Sequence, residues 1–140
     1  MKSHLNQKNM KKLLFIPLLF TFYMGMAQTD SASIIGKSIR VGNLVVAEYD
    51  FPNAMNWDDA KKACAELGKG WRLPTQAEWG TLYKERNDIG GFTGNKYWSS
   101  TELGAYNAWV QNFLLHYRSE YGLSKSVSRE VDVRAVRTFK

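Results

Sequence analysis

The sequence has very little cysteine and histidine, two residue types that commonly supply nucleophiles and metal ligands. Cys64 is the only cysteine in 140 residues, so no disulfide can form within the chain and stability must come from a packed core. Beyond the first 27 residues the only histidine is His116, and no ligand spacing joins it to Cys64 in a zinc site or to a serine in a catalytic triad. We therefore predict no catalytic residue, no metal and no cofactor.

The chain also lacks an apolar run long enough to span a bilayer. Its longest apolar segment, Leu13–Met26, has about 14 residues, whereas a membrane-spanning helix needs about 20. Four lysines precede this segment, and Gly25–Ala27 has the small-x-small pattern of a cleavage site. We predict a signal peptide over residues 1–27, cleaved after Ala27, with translation starting at Met1 or Met10. The mature protein is then secreted, periplasmic or at the cell surface, and has no membrane span.

Once the signal is removed, the chain has little excess of either charge. The sequence has 19 Lys and Arg against 13 Asp and Glu, and four of the lysines lie in the first 27 residues, which leaves 15 basic against 13 acidic residues. This balance does not indicate nucleic-acid binding. The remaining asymmetry is a basic excess towards the C-terminal end, from Arg118 to Lys140, and such an excess is typical of a solvated face.

The remaining length suits one α+β domain. We predict a flexible leader over residues 28–34 and a single domain over 35–140. Asn56 and Thr75 are placed to begin two amphipathic helices, and Gly68 to follow the first of them. β-Branched or alternating segments flank the two helices, which predicts strands at residues 34–35, 39–41, 44–49, 96–100, 108–114 and 130–137. Two helices between strand sets favour the α+β class.

The run from Gly70 to Trp79 contains the clearest local signal. Thr75 and Glu78 have the spacing of a capping box, in which each side chain accepts a hydrogen bond from the other residue's backbone N–H. Pro74 sharpens the helix start, because it disfavours helical geometry at the preceding residue. We predict a structural motif of capping and packed residues: Trp57, Trp71, Leu73, Thr75, Glu78 and Trp79.

Aromatic residues near the middle of the domain are candidate ligand contacts. Exposed rings can bind the apolar face of a sugar, and we retain Trp98 and Tyr106 on this ground, although burial is the commoner fate of tryptophan. A glycine-rich segment, residues 89–95, precedes them. It follows a helix and precedes a strand, which is the reverse of a phosphate-binding loop.

Five segments carry a family resemblance: residues 55–83 (MNWDDAKKACAELGKGWRLPTQAEWGTLY), 89–92 (IGGF), 97–101 (YWSST), 108–109 (AW) and 133–137 (VRAVR). Together they resemble the domain found at the C-terminus of Legionella collagen-like proteins and in the Fibrobacter major paralogous family, whose function is largely unknown. The resemblance implies a C-type-lectin-like fold, with two amphipathic helices packed on small antiparallel sheets. The Glu-Pro-Asn, Gln-Pro-Asp and Trp-Asn-Asp sequences of calcium-dependent lectins are missing, which argues against Ca²⁺-dependent sugar binding.

The segment WRLPTQAEW (residues 71–79) is also similar to formylglycine-generating enzymes and other sulfatase-modifying-factor domains. The resemblance implies an oxidase whose catalysis relies on a cysteine pair near the C-terminus. No cysteine follows Cys64. We therefore rank such an enzyme third among the possible functions.

The leading hypothesis is an exported, non-catalytic binding module that recognises a glycan or sulfated polysaccharide in an adhesion role. Arg118 and Arg129 are the candidate sulfate contacts, whereas Arg134 and Arg137 are expected to be structural residues of the last strand. The alternative is a structural or protein-interaction module without a small ligand. That alternative is favoured if the aromatic residues between Tyr97 and Trp109 are buried and no apolar pocket is present.

Overall fold

The computed structural model describes residues 30–113 and 119–140. Within these residues four helices and six strands follow one another as α1 (Ser31–Ile35), β1 (Ile39–Val41), β2 (Leu44–Val46), α2 (Trp57–Glu66), α3 (Gln76–Lys84), α4 (Arg86–Ile89), β3 (Lys96–Leu103), β4 (Asn107–Asn112), β5 (Ser119–Ser124) and β6 (Val136–Thr138). The strands form two antiparallel three-stranded sheets, ordered β1-β2-β6 and β3-β4-β5. The α+β class predicted from the sequence is confirmed.

Strand β2 lies between two hydrophobic clusters. Leu44 and Val46 face one cluster, whereas Val45 faces the other, as the alternation of side chains along a strand requires. The first cluster contains Trp57, Trp71, Leu73, Trp98 and the buried residues of the C-terminal segment, and the second contains Trp79, Leu82, Ile89, Tyr97 and Val136. Because β2 is buried on both faces, it joins the two halves of the core.

The two long helices begin as predicted. The Asn56 side chain accepts from the Asp59 backbone N–H at 2.9 Å and caps α2, which turns Trp57 and Cys64 inward. Thr75 and Glu78 form the complete capping box of α3, with distances of 3.1 and 2.8 Å for its two hydrogen bonds. Both starts depend on residues within four positions of one another, so the sequence contains the necessary information.

Three segments differ from the prediction. Residues 31–35 form helix α1, not a flexible leader followed by a strand: Asp30 caps this helix, and its Ile34 is buried in the first cluster. Within the polar stretch after residue 118, β5 pairs with β4 along its whole length. The strand predicted over residues 130–137 shortens to β6.

The shortening of the last strand has a physical reason. Residues 131–135 are extended, and Val131 and Val133 face the first cluster as predicted. Successive carbonyls of this segment, however, accept hydrogen bonds from different parts of the chain. The Val133 carbonyl accepts from Phe51 N–H at 3.0 Å, and the Asp132 carbonyl accepts from Trp98 N–H at 3.2 Å. The segment therefore crosses between the two sheets before it pairs with β2.

Among the described residues, no helix combines the length and the hydropathy that crossing a membrane requires.

Candidate functional site: two recesses at a clamped glycine loop

A single carboxylate holds the loop that connects α4 to β3. Asp50 Oδ2 accepts from the backbone N–H groups of Thr93 and Gly94 at 2.9 and 3.3 Å, and from the hydroxyls of Thr93 and Tyr97 at 3.1 and 2.7 Å. An ionised carboxylate is an acceptor only, with room for about four donors on its two oxygens. Asp50 thus fixes both the start of β3 and the loop that precedes it.

Arg134 completes this clamp from the C-terminal segment. Its side chain is 0% exposed, and its Nε donates to Asp50 Oδ1 at 2.7 Å. The two terminal nitrogens donate to the carbonyls of Ala47, Gly90 and Gly91 at 3.0, 3.3 and 2.6 Å. A buried charge is tolerated when it is paired and its donors are satisfied. Arg134 is therefore structural, as expected, although its partners were not foreseen.

The glycines of the loop are required by close packing. Gly91 has a φ of +69°, and a Cβ at this position would overlap the carbonyl oxygen of Glu48. A Cβ on Gly94 would overlap the carboxylate of Asp132. The loop therefore lies directly against Glu48, two residues after β2, and against the crossing segment, and its position is determined on both sides.

A charged recess of about 290 Å³ lies where this loop enters β3. Besides Ala54, its lining contains three side chains that can donate hydrogen bonds, Asn95, Lys96 and Arg129, and the carboxylates of Glu130 and Asp132. Lys96 Nζ is 3.1 Å from Glu130 Oε2, and this ion pair raises the pKa of Lys96. Arg129 is exposed, and no described carboxylate lies within ion-pair distance of it. The recess thus presents a guanidinium without a direct ion-pair partner beside acceptors for hydroxyl groups.

Asp132 is the most perturbed acid in the charged recess. Its backbone is fixed, because its N–H donates to the Lys96 carbonyl at 2.7 Å and its own carbonyl accepts from Trp98. Partial burial raises the pKa of the Asp132 carboxyl above the ordinary value, and the negative charge of Asp50 adds to this effect. A nearby cation or a hydroxyl donor on a ligand would relieve both effects.

A second recess of about 320 Å³ lies at the other end of the same loop. It is lined by Arg86, Asn87, Gly90, Gly91, Phe92 and Phe113. The rings of Phe92 and Phe113 are half-buried, with centroids 5.1 Å apart, and both pack against the second cluster. This aromatic recess differs from the charged one, because apolar rings provide its floor.

Trp98, predicted as a ligand contact, lies in the core. Its side chain is 0% exposed within the first cluster, and its indole N–H donates to the Met55 carbonyl at 2.8 Å. The reason is its register: Trp98 pairs with Val110 on the inward face of the β3-β4 sheet. A ligand at the surface cannot reach Trp98, so we remove it from the candidate site.

Tyr106 is fully accessible but distant from the charged recess. It is 84% exposed at the tip of the β3-β4 hairpin, beside Leu103, which is 42% exposed. Lys96 lies at the opposite end of β3, about 23 Å away at 3.3 Å per residue. The structure therefore does not bring Tyr106 and Arg129 together. Arg118, like His116, lies outside the described residues.

The residues predicted as a structural motif lie in the core or at the start of α3. Trp57, Trp71, Leu73 and Trp79 are buried. Glu78 has an additional partner, because Arg72 donates to both of its carboxylate oxygens at 2.8 and 2.9 Å. Partial burial would raise the pKa of Glu78, but the hydrogen bonds from Arg72 and from Thr75 outweigh it and hold the pKa below the ordinary value.

Sequence reasoning missed most of the recess residues. Asn95, Lys96 and Asp132 match no functional motif, and neither does Asp50. The one available signal was the glycine-rich segment, whose close packing indicates a loop with a fixed position. Among the described residues, no group of three or more His, Cys, Asp or Glu side chains could hold a metal ion.

Residues 46–140 match the family model described as the Sulfatase-modifying factor enzyme 1-like domain. The chain belongs to this family. The match extends beyond the segment Trp71–Trp79 and also includes α2, the clamped loop and the C-terminal segment. No curated protein sequence matches the chain significantly.

The fold is also found among solved structures. Botrocetin is similar with a TM-score of 0.57 at 11% sequence identity, over 75% of this chain and 98% of that one. EMS16, described as an antagonist of the collagen receptor integrin α2β1, has a TM-score of 0.49 at 15% identity, over 73% of this chain and 95% of that one. The C-type-lectin-like fold expected from the sequence is confirmed.

Proposed function

We propose that this family member is an exported, non-catalytic binding module that recognises an acidic extracellular glycan, such as a sulfated polysaccharide, in an adhesion role. One observation carries the proposal: Arg129 stands exposed at the rim of the charged recess without a carboxylate partner among the described side chains. Guanidinium groups bind sulfate and carboxylate oxygens through paired N–H donors.

The other residues of the recess suit the remainder of such a ligand. Asn95 provides an amide, which both donates and accepts hydrogen bonds, and Asp132 provides acceptors for sugar hydroxyls. Lys96 is partly neutralised by Glu130, so Arg129 is the main attraction for an acidic group. The recess is large enough for about one sugar ring, so a polysaccharide would bind with most of its length outside the recess.

The non-catalytic part of the proposal concerns Cys64. The thiol is buried in the first cluster, and desolvation raises its pKa to about 12, so it is protonated at neutral pH. The sequence has no second cysteine to form a catalytic pair with it. We therefore propose that this member retains the family's fold without oxidase chemistry.

The finer membership and the location are also proposals. The motifs quoted above support placing the chain with the Legionella collagen-like C-terminal domains and the Fibrobacter paralogues. The basic and apolar segments of residues 1–27 support export by a cleaved signal peptide. Arg118 stays a predicted second contact to sulfate.

Binding of the full chain to immobilised heparin and fucoidan at low salt tests the proposal. We expect Arg129→Ala to weaken binding about tenfold, because a charge-assisted contact to sulfate is lost. Lys62→Ala removes an exposed charge from α2 and serves as the matched control, with binding unchanged within about twofold. Absence of binding, or equal binding by wild type and Arg129→Ala, would contradict the proposal.

A protein-interaction module is the second candidate. The burial of Tyr97 and Trp98 favours it, because these rings are unavailable to sugars, and the hairpin tip at Leu103 and Tyr106 exposes apolar surface instead. A glycan array probed with the full chain, with and without Ca²⁺, separates the two. Binding to acidic glycans in both conditions supports the first candidate, whereas binding to none supports the second.

A further inference from the structure

The outer strands of the β1-β2-β6 sheet carry two exposed arginines in one row. Arg40 on β1 and Arg137 on β6 both pair in register with Val45 on the central strand. Directly paired residues of an antiparallel sheet place their side chains on the same face, so both arginines extend over the face that Val45 occupies. Their Cα atoms are separated by two strand spacings, about 10 Å.

An aromatic ring lies beneath each guanidinium. The Cζ atom of Arg40 lies 3.8 Å from the ring centroid of Phe139, and that of Arg137 lies 5.5 Å from the ring centroid of Trp71. Phe139 follows Arg137 by two residues and therefore shares its face. We refer to Arg40, Trp71, Arg137 and Phe139 as the arginine face.

The arginines of this face have N–H donors that no ion pair uses. Arg40 Nε donates to the Gly42 carbonyl at 3.0 Å, and neither arginine has an ion-pair partner among the described carboxylates. A guanidinium that stacks on a ring keeps its in-plane N–H groups free for an oxyanion, since the ring contacts only its flat side. Arg40 also lines a recess that contains Glu85 and Asp88, but neither carboxylate lies within ion-pair distance of it.

The contact between Arg40 and Phe139 does little for the fold. Phe139 is 47% exposed even with Arg40 against it, so the pair covers little apolar surface. Cation–π contacts at exposed positions are weak. In contrast, two oriented and uncompensated guanidiniums match a ligand with repeated oxyanions.

We infer that the arginine face is a binding surface for a linear acidic polysaccharide, with Arg40 and Arg137 each contacting a sulfate or carboxylate group. The inference rests on the proposed function for its ligand class, but it uses residues that do not line the charged recess. A chain that occupies both surfaces would bind through more charges than either surface provides alone.

The test is heparin affinity of the full chain as a function of salt. We expect Arg40→Gln with Arg137→Gln to raise Kd about tenfold at low salt and to flatten the dependence of log Kd on log salt by one to two units, since about two counterion-releasing contacts are lost. The control, Lys62→Gln with Lys84→Gln, removes two exposed charges from α2 and α3 and should stay within about twofold of wild type.

The conservative variant separates geometry from charge. Arg40→Lys with Arg137→Lys keeps both charges but loses the planar fork, and we expect an intermediate Kd. Circular dichroism of all variants checks that the fold is retained. Equal weakening by both glutamine pairs, or none by the arginine pair, would overturn the inference.

The same series distinguishes this inference from the proposed function. If Arg129→Ala weakens binding and the double variant of Arg40 and Arg137 does not, the result supports the charged recess as a binding site and contradicts the arginine face. The reverse result removes Arg129 from the site and keeps the arginine face. If wild type does not bind heparin at low salt, both are overturned.

Discussion

Arg134 and Arg129 belong to the same basic C-terminal segment, yet the structure gives them opposite surroundings. Arg134 is 0% exposed and donates to Asp50 and to three carbonyls. Arg129 is exposed at the rim of a recess and has no described carboxylate partner. The residue type and the local composition are the same in both cases. What differs is whether the side chain's hydrogen bonds are used within the fold or remain available to a ligand.

This contrast extends to the other arginines. Arg137 and Arg40 resemble Arg129, because they are exposed and unpaired, whereas Arg72 is intermediate, half-buried and bound to Glu78. A basic segment is therefore a poor guide to function until each side chain is placed. Substitutions at or beside the buried, the exposed and the intermediate arginine therefore test whether burial separates the structural arginines from those available to a ligand.

Arg134→Met should lower the free energy of unfolding by about 3–5 kcal/mol, because it removes the cation paired with the buried Asp50 carboxylate and the N–H donors to three carbonyls. Urea unfolding measures this difference. Arg129→Met, the matched control, should change stability by less than about 0.5 kcal/mol. Arg134→Lys keeps the charge but not the fork, and it should fall between the two. Similar losses of unfolding free energy for Met at both positions would contradict the distinction between the buried and the exposed arginine.

Gly91→Ala tests the loop that Arg134 holds. A left-handed backbone costs a non-glycine residue about 1–2 kcal/mol, and the added methyl group also meets the Glu48 carbonyl, so we expect a loss of about 2–3 kcal/mol. Gly104 also has a positive φ, but its Cβ position is open. Thermal unfolding should therefore show Gly104→Ala losing only about 1 kcal/mol. Equal losses would mean that contact with the Glu48 carbonyl does not fix the loop.

Glu78→Gln tests the intermediate case and should cost about 1 kcal/mol at neutral pH. Because the folded pKa of Glu78 lies below its ordinary value of 4.5, its contribution is present above that value and is lost as the pH falls through the folded pKa. Urea midpoints measured from pH 7 down to about pH 3 should converge for wild type and variant. Glu66→Gln, an exposed substitution on α2, should match wild type at neutral pH within about 0.5 kcal/mol. A constant gap between wild type and Glu78→Gln would contradict this assignment.

Local features of the fold could be predicted from the sequence. The start of α3 depends on Thr75 and Glu78, three positions apart, and the inward face of residues 131–135 follows from simple alternation. Helix α1 was missed, because only five residues form it and its stability comes from Ile34 packing into the core.

The candidate site could be predicted only in part. Arg129 was identified, but its neighbours Asn95 and Asp132 come from segments whose proximity depends on tertiary packing. Trp98 was kept as a possible ligand contact, because β3 alternates too weakly in sequence to show which face its rings occupy. Residue type indicated the chemistry that was available, whereas long-range contacts decided which residues could use it.

The pairing of Asp50 with Arg134 also constrains the order in which the protein can fold. The two residues are 84 positions apart, and β2 likewise pairs with β6 near the other end of the chain. Asp50 and strand β2 lie far ahead of both partners in the sequence, so neither has its partner until residues 134–138 join the fold. Closing so long a loop is entropically costly and slow. Residues 134–138 therefore complete the pairing of Asp50 and β2, and we expect them to dock late in folding.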